Sequence, residues 1–174
     1  MVNEIVYKVR GHLQSKTMNP QEKAMQKTGI ILVDHGSRRE ESNQLLEEVA
    51  RLFAARFTDR YEIVEPAHME ISEPSIGTAY AKCVARGAVR MVVCPFFLGP
   101  GKHWTSDIPN LTAQASKNFP GTRYHVTMPL GIDDLILDLL DKRVRGCMDC
   151  GLECDSCRGT MRSGLALTQD STAS

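Results

Sequence analysis

The stretch GIILVDHGSRRE, residues 29–40, decides how the rest of the chain is read. Residues 30–33 are four consecutive aliphatics, the pattern of a strand buried on both faces. The run stops at Asp34, His35, Gly36 and Ser37, and two arginines, Arg38 and Arg39, follow. A buried strand that leaves the core through a histidine and a glycine into a basic turn has the form of a ligand edge.

Working outward, strands and helices alternate. Residues 29–35 are expected as a first strand. Residues 40–57 follow as an amphipathic helix, with Leu45, Leu46, Val49, Leu52 and Phe53 at helical spacing. YEIVEPAHME, residues 61–70, reads as a shorter second strand. Pro74, preceded by Glu73, opens a helix that runs through Ala85 to Gly87, and glycine suits the position just past a helix end. Residues 89–94 form a third, strongly apolar strand. Pro95 removes a ladder donor, so 95–98 read as a frayed or edge continuation. Residues 105–119 give a third helix, 122–129 a fourth strand and 132–144 a fourth helix. No repeat of 20–50 residues is present. Four βα units in succession imply an α/β three-layer sandwich around a central, mainly parallel four-stranded sheet, flavodoxin-like or Rossmann-like, as a single domain.

Composition removes several classes. Lys+Arg and Asp+Glu are both 21, so there is no basic excess for general nucleic-acid binding. No apolar run approaches the ~20 residues of a membrane span. Residues 1–28 are mostly polar and read as a disordered leader without a secretory apolar core. Glu4 and Glu22 fit poorly with an intact transit peptide, although a trimmed one would leave little trace. Residues 158–174 read as a disordered polar tail.

In a parallel sheet, ligands bind outside the carboxyl ends of the strands. His35 ends the first expected strand, His68 ends the second, and His103 follows the third through GPGKH. Three histidines from three junctions thus fall at one edge. Glu70 lies two residues beyond His68 and faces the same way if the backbone stays extended. Imidazoles with a carboxylate suit a borderline divalent metal such as Fe²⁺, Co²⁺, Ni²⁺ or Zn²⁺. His12 lies in the leader, and His125, in mid-strand, reads as a partly buried, hydrogen-bonded residue. Gly36, Gly99 and Gly101 leave room for a bulky ligand. Phe96, Phe97 and Trp104 supply apolar surface, with core packing expected for at least one phenylalanine. Ser37, Arg38, Arg39 and Lys102 make a polar, basic rim suited to carboxylates or phosphates. GPGKH is not a nucleotide phosphate loop, because such a loop needs glycine at position 96 and a hydroxyl at 103, and these are Phe96 and His103. LVDHGSR leaves a histidine phosphatase only as a minor alternative, because the nucleophilic histidine of that family follows an arginine and Asp34 would repel phosphate.

LVDHGSR, EPAHMEISEPSI and VVCPFFLGPGKHWTSDIP together resemble the class II tetrapyrrole chelatases of the short type, the sirohydrochlorin ferrochelatases and cobaltochelatases. The resemblance covers about residues 29–145. It implies a lyase that inserts Fe²⁺ into sirohydrochlorin to form sirohaem without a nucleotide. It also implies a homodimer of single domains in place of the two halves of longer relatives. The two metal-binding histidines of the family map onto His35 and His103, with Glu70 as a candidate proton relay. Ser37, Arg38, Arg39, His68, Lys102 and Trp104 become substrate contacts, and the eight carboxylates of sirohydrochlorin account for the basic rim. A histidine at position 68 is most similar to the plant sirohydrochlorin ferrochelatases, which would place the chain in the chloroplast stroma of a plant, and otherwise in the cytoplasm. Two other readings stand beside this one. They are a cobaltochelatase, with Co²⁺ or Ni²⁺ replacing iron, and a non-catalytic metal or iron–sulfur carrier.

Of six cysteines, Cys83 and Cys94 sit in apolar segments and read as small buried hydrophobes. Cys147, Cys150, Cys154 and Cys157 form C-x2-C-x3-C-x2-C, within residues 147–157. Disulfides inside so short a loop would be strained. Zinc Cys₄ sites usually separate their two pairs more widely, so the compact spacing is nearer to an iron–sulfur loop, with zinc the alternative. The resemblance to the plant enzymes implies a [2Fe–2S] cluster. The expected organisation is therefore a leader at 1–28, a chelatase domain at 29–146, the cysteine loop at 147–157 and a tail at 158–174.

Overall fold

A computed structural model describes residues 27–158 and 160–162, so most of the expected leader and tail lie outside the described residues. The opening stretch forms β1 (Thr28–Asp34), a strand whose five inner residues are all buried. It is followed by α1 (Glu40–Arg56), β2 (Ile63–His68), α2 (Ile76–Ala85), β3 (Arg90–Pro95), a single π-turn (His103–Asp107) running into α3 (Ile108–Lys117), β4 (Arg123–Val126) and α4 (Asp134–Asp149). The sheet order is β2-β1-β3-β4 and every pairing is parallel. The expected α/β architecture is thus present, with β1 and β3 central. No helix among the described residues is long and apolar enough to cross a membrane.

Alternation along β1 divides the core in two. Ile31 and Val33 meet Ile63, Ala67, Met91 and Val93 from the neighbouring strands, and α2 and α3 close over them with Ile76, Ala79, Tyr80, Ile108 and Ala115. Each isoleucine, valine or methionine among them contributes roughly 1.5–3 kcal/mol when fully buried. The opposite face carries Ile30 and Leu32 under Leu46 and Ala50 of α1. That second cover is narrower. Val92 and Cys94 on β3 are only partly buried there, and His125 on β4 is exposed. The expectation of a partly buried His125 therefore fails.

Three local differences from the sequence reading have physical causes. Pro95 lies inside β3 and is buried. Phe96 N–H donates to the Val33 carbonyl at 2.7 Å, so by alternation position 95 turns its backbone nitrogen toward β4. β4 has ended by then, and proline forfeits no ladder bond. In α1 the buried positions are Asn43, Leu46 and Ala50, while Leu45 and Leu52 are 63% and 52% exposed. Finally, α4 continues past Val144 and ends in a C-terminal cap at Gly151. Gly151 N–H donates to Met148 C=O (3.0 Å) and Leu152 N–H to Cys147 C=O (2.9 Å), with Gly151 at φ +65.

Candidate active site

The carboxyl edge is assembled by zipping the β1 exit onto the β2 exit. Met69 N–H donates to Asp34 C=O at 2.9 Å, and Glu70 N–H to His35 C=O at 3.2 Å. Gly36 sits at φ +80, and a Cβ there would stand 2.1 Å from the Glu70 carbonyl oxygen. The expectation that Gly36 makes room for a ligand is therefore corrected: the room is taken by backbone. Gly99 and Gly101 face open space, with nothing within 4 Å of a built Cβ.

Asp34 and His68 are register partners across β1 and β2. The His68 ring is fully buried, and its Nδ1 lies 2.6 Å from Asp34 Oδ1. The same oxygen accepts the Gly36 N–H at 2.9 Å. A hydrogen donated from His68 Nδ1 satisfies the carboxylate, which in turn holds the turn that carries His35. The His68 Nε2 is buried without a hydrogen-bond partner. His68, expected as a substrate contact, thus has its Nδ1 engaged inside the fold. The expected shared face of His68 and Glu70 also fails, because β2 ends at His68 and Glu70 is exposed.

His35 and His103 do meet. Their ring centroids are 4.5 Å apart and their planes stand at 89°. Phe97 packs edge-on against the His35 ring at 4.6 Å and also reaches the core, combining the two roles foreseen for the phenylalanines. Phe96 remains 41% exposed. The π-turn sets His103: its Nδ1 lies 2.8 Å from Asp107 Oδ2, four residues on. With the Nδ1 hydrogen donated to that carboxylate, the Nε2 lone pair is left for a metal, the usual carboxylate–histidine arrangement. Two facing imidazoles can approach one ion at nitrogen–metal distances of roughly 2 Å. Among the described residues no group of three His, Cys, Asp or Glu side chains stands ready to hold a metal.

Around the pair, Arg38, Arg39 and Lys102 are exposed. Ser37 is tied down, its N–H donating to Asn43 Oδ1 (2.9 Å) and its Oγ accepting from Arg39 N–H (3.0 Å). An open depression of about 600 Å³ at the start of α1 is lined by Arg39, Glu41, Ser42 and Leu45. Trp104 Nε1 donates to Thr127 C=O at 2.9 Å, fixing the loop after β4 beside the π-turn. Leu130 and Gly131 N–H groups extend that contact to Phe97 and Leu98 carbonyls at 2.8 and 2.9 Å.

Three residues escaped the sequence reading: Asp34 as partner of His68, Asn43 and Asp107. Asn43 is 4% exposed, and its Nδ2 lies 3.0 Å from both Ser37 O and Ser72 Oγ, pinning two site loops together. Its signal was the 43, 46, 50 spacing, with a polar residue on the buried face of α1. For Asp107 the signal was the i, i+4 spacing from His103.

At the far end of α4, the cap at Gly151 turns the chain back over the helix end. Cys150 Sγ donates to Cys147 C=O at 3.2 Å, and Cys157 N–H to Cys154 C=O at 2.8 Å. A hydrogen bond from the Cys157 thiol holds the Cys154 thiol below its ordinary value and pushes Cys157 up. Four free thiols gathered in the turns after α4 fit the donor set of a thiolate-bound group, although among the described residues they are not closed into a metal-holding shell. Cys83, by contrast, is pushed up to about 12 by burial.

A model of the CbiX family matches residues 29–147. The chain belongs to this family. It is 51% identical over 141 residues to the chloroplastic sirohydrochlorin ferrochelatase of Arabidopsis thaliana, covering 79% of this chain and 62% of that protein, so it spans under two thirds of that relative's length. It is 32% identical to the sirohydrochlorin cobaltochelatase of Methanosarcina acetivorans, covering 69% of this chain and 96% of the relative. Among solved structures, the sirohydrochlorin chelatase SirB from Bacillus subtilis subspecies spizizenii, in complex with cobalt, superposes with a TM-score of 0.61 at 31% identity. That match covers 69% of this chain and 50% of SirB.

Proposed function

We propose that this chain is a sirohydrochlorin ferrochelatase acting as a homodimer. The observation that carries the reading is the perpendicular His35–His103 pair, 4.5 Å between centroids, at the carboxyl edge of the sheet. The names borne by the Arabidopsis and Methanosarcina relatives supply the substrate class. In the reaction Fe²⁺ enters the macrocycle and two pyrrole N–H protons leave. His35 and His103 present Fe²⁺ to the ring, and an imidazole freed of metal is a suitable proton acceptor near neutral pH. Asp107 keeps the His103 Nε2 free, and Asp34 with His68 keeps the His35 turn in place. Glu70, exposed and bonded through its backbone to His35, is the candidate relay to solvent. Arg38, Arg39 and Lys102 draw the substrate carboxylates, with Ser37 and Trp104 shaping the rim.

The second copy is supported by the relation to SirB, half of which this chain covers, and by α4, which buries no residue. Cys147, Cys150, Cys154 and Cys157 would hold an iron–sulfur cluster, [2Fe–2S] by the resemblance to plant enzymes. When bound it supplies local stability or redox sensitivity, and metal insertion does not pass through it. A plant chain of this kind belongs in the chloroplast stroma, as the name of the Arabidopsis relative suggests. A cobaltochelatase is favoured as the second reading by the cobalt-bearing SirB structure.

The test is anaerobic incubation with sirohydrochlorin and either Fe²⁺ or Co²⁺, followed by absorbance. Faster conversion with Fe²⁺ supports the first reading, and conversion with Co²⁺ alone supports the second. Metal binding with an unchanged sirohydrochlorin spectrum would mark a carrier and overturn both.

A further inference from the structure

The loop between β2 and α2 holds a residue that the fold alone does not justify. Ile71 sits at φ +71, in the left-handed region where a β-branched side chain is an outlier. Ser72 N–H donates to Glu70 C=O at 2.8 Å and closes a three-residue turn around it. The side chain returns nothing to the core, being 63% exposed.

The turn is anchored at both ends by groups that also fix the His35 loop. On one side Glu70 N–H bonds His35 C=O, and the Glu70 carbonyl is pressed against Gly36. On the other, buried Asn43 ties Ser72 Oγ to Ser37. Strain of this kind persists where the surroundings over-determine it, and glycine would relieve it. An isoleucine here exposes an apolar group one residue from Glu70, whose N–H bonds the His35 carbonyl. β1 lies between β2 and β3, so the loop after β3 flanks His35 from the opposite side. There Phe96 and Leu98 are 41% and 62% exposed. Exposed apolar side chains therefore stand in the loops after both strands that border β1, the strand that leads into His35.

We propose that Ile71 is a substrate-contact residue, one wall of the slot that grips the flat apolar ring of a tetrapyrrole and sets its affinity. This rests on the chelatase reading above. The experiment measures melting temperature, kcat, and KM for sirohydrochlorin and for Fe²⁺ in wild type and in Ile71→Gly, Ile71→Asn and Ile71→Leu. Glycine and asparagine accept the left-handed backbone, so both variants should melt at or above the wild-type temperature. Their KM for sirohydrochlorin should rise about tenfold, the scale for a lost apolar group in a pocket. KM for Fe²⁺ and kcat should hold, and Ile71→Leu should keep wild-type affinity. An active wild type with unchanged sirohydrochlorin KM in Ile71→Gly overturns this assignment alone, as does a loss confined to kcat. A wild type that binds no tetrapyrrole overturns the chelatase reading and this assignment together.

Discussion

The two ends of the sheet are finished to different degrees. At the β2 end, Ile63, Ala67, His68 and Met69 are buried, and the loops beyond are cross-tied through Asp34, Asn43 and Ser72. At the β4 end, three of four strand residues are exposed, and α4 buries nothing. Ile136, Leu140, Val144 and Met148 recur every four residues along α4, and Leu140, Val144 and Met148 are each more than half exposed. One end ties down, within a single chain, the loop that carries His35. The other presents an apolar stripe that a second copy would cover.

The largest effect should come from the imidazole pair at the carboxyl edge, between the two ends. His35→Ala and His103→Ala should each lower turnover at limiting Fe²⁺ by about 10²-fold or more, with unchanged circular dichroism. Near-normal turnover in either would break the comparison. Next, a Leu139→Asp/Leu140→Asp double substitution should convert a dimer into monomers in light scattering while the helical signal of the domain survives. A wild type that already scatters as a monomer at micromolar concentration would deny that the β4 end is an interface. Asp107→Asn should be milder, raising KM for Fe²⁺ by about 10-fold, the scale for lost support of a ligand histidine. An unchanged KM would remove Asp107 from the site. The smallest effect on insertion is expected from Cys147→Ser/Cys150→Ser, purified without air. It should lose visible iron–sulfur absorbance and still insert Fe²⁺ or Co²⁺. Lost insertion in a folded dimer would mean that the cysteine loop is coupled to the site.

The same contrast explains what the sequence disclosed. Element order and sheet class were legible because residues 30–33 and 91–94 are unbroken apolar runs separated by amphipathic segments, although the second and fourth helices start a residue or two later than expected, at the Ser75 and Asp133 caps. His35 and His103 were legible because strand ends define an edge. The Asp34–His68 pair was not, because it depends on which residues stand side by side in the β1–β2 register. Asp107 was hidden by two residues: a helix begun at position 105 instead of the π-turn at His103 breaks the link between them. α1 misled for the opposite reason, since Leu45 and Leu52 are apolar but lie off its buried face.

Gly36 and the Gly99/Gly101 pair also differ in what they permit an engineer to change. A side chain at position 36 has no volume to occupy, because the Glu70 carbonyl already fills it. Positions 99 and 101 open onto empty space. Attempts to retune the metal or ring preference by substitution should therefore succeed on the β3 side of the imidazole pair and fail on the β1 side. Variation among functional versions of this site would be expected to accumulate along the same one-sided path.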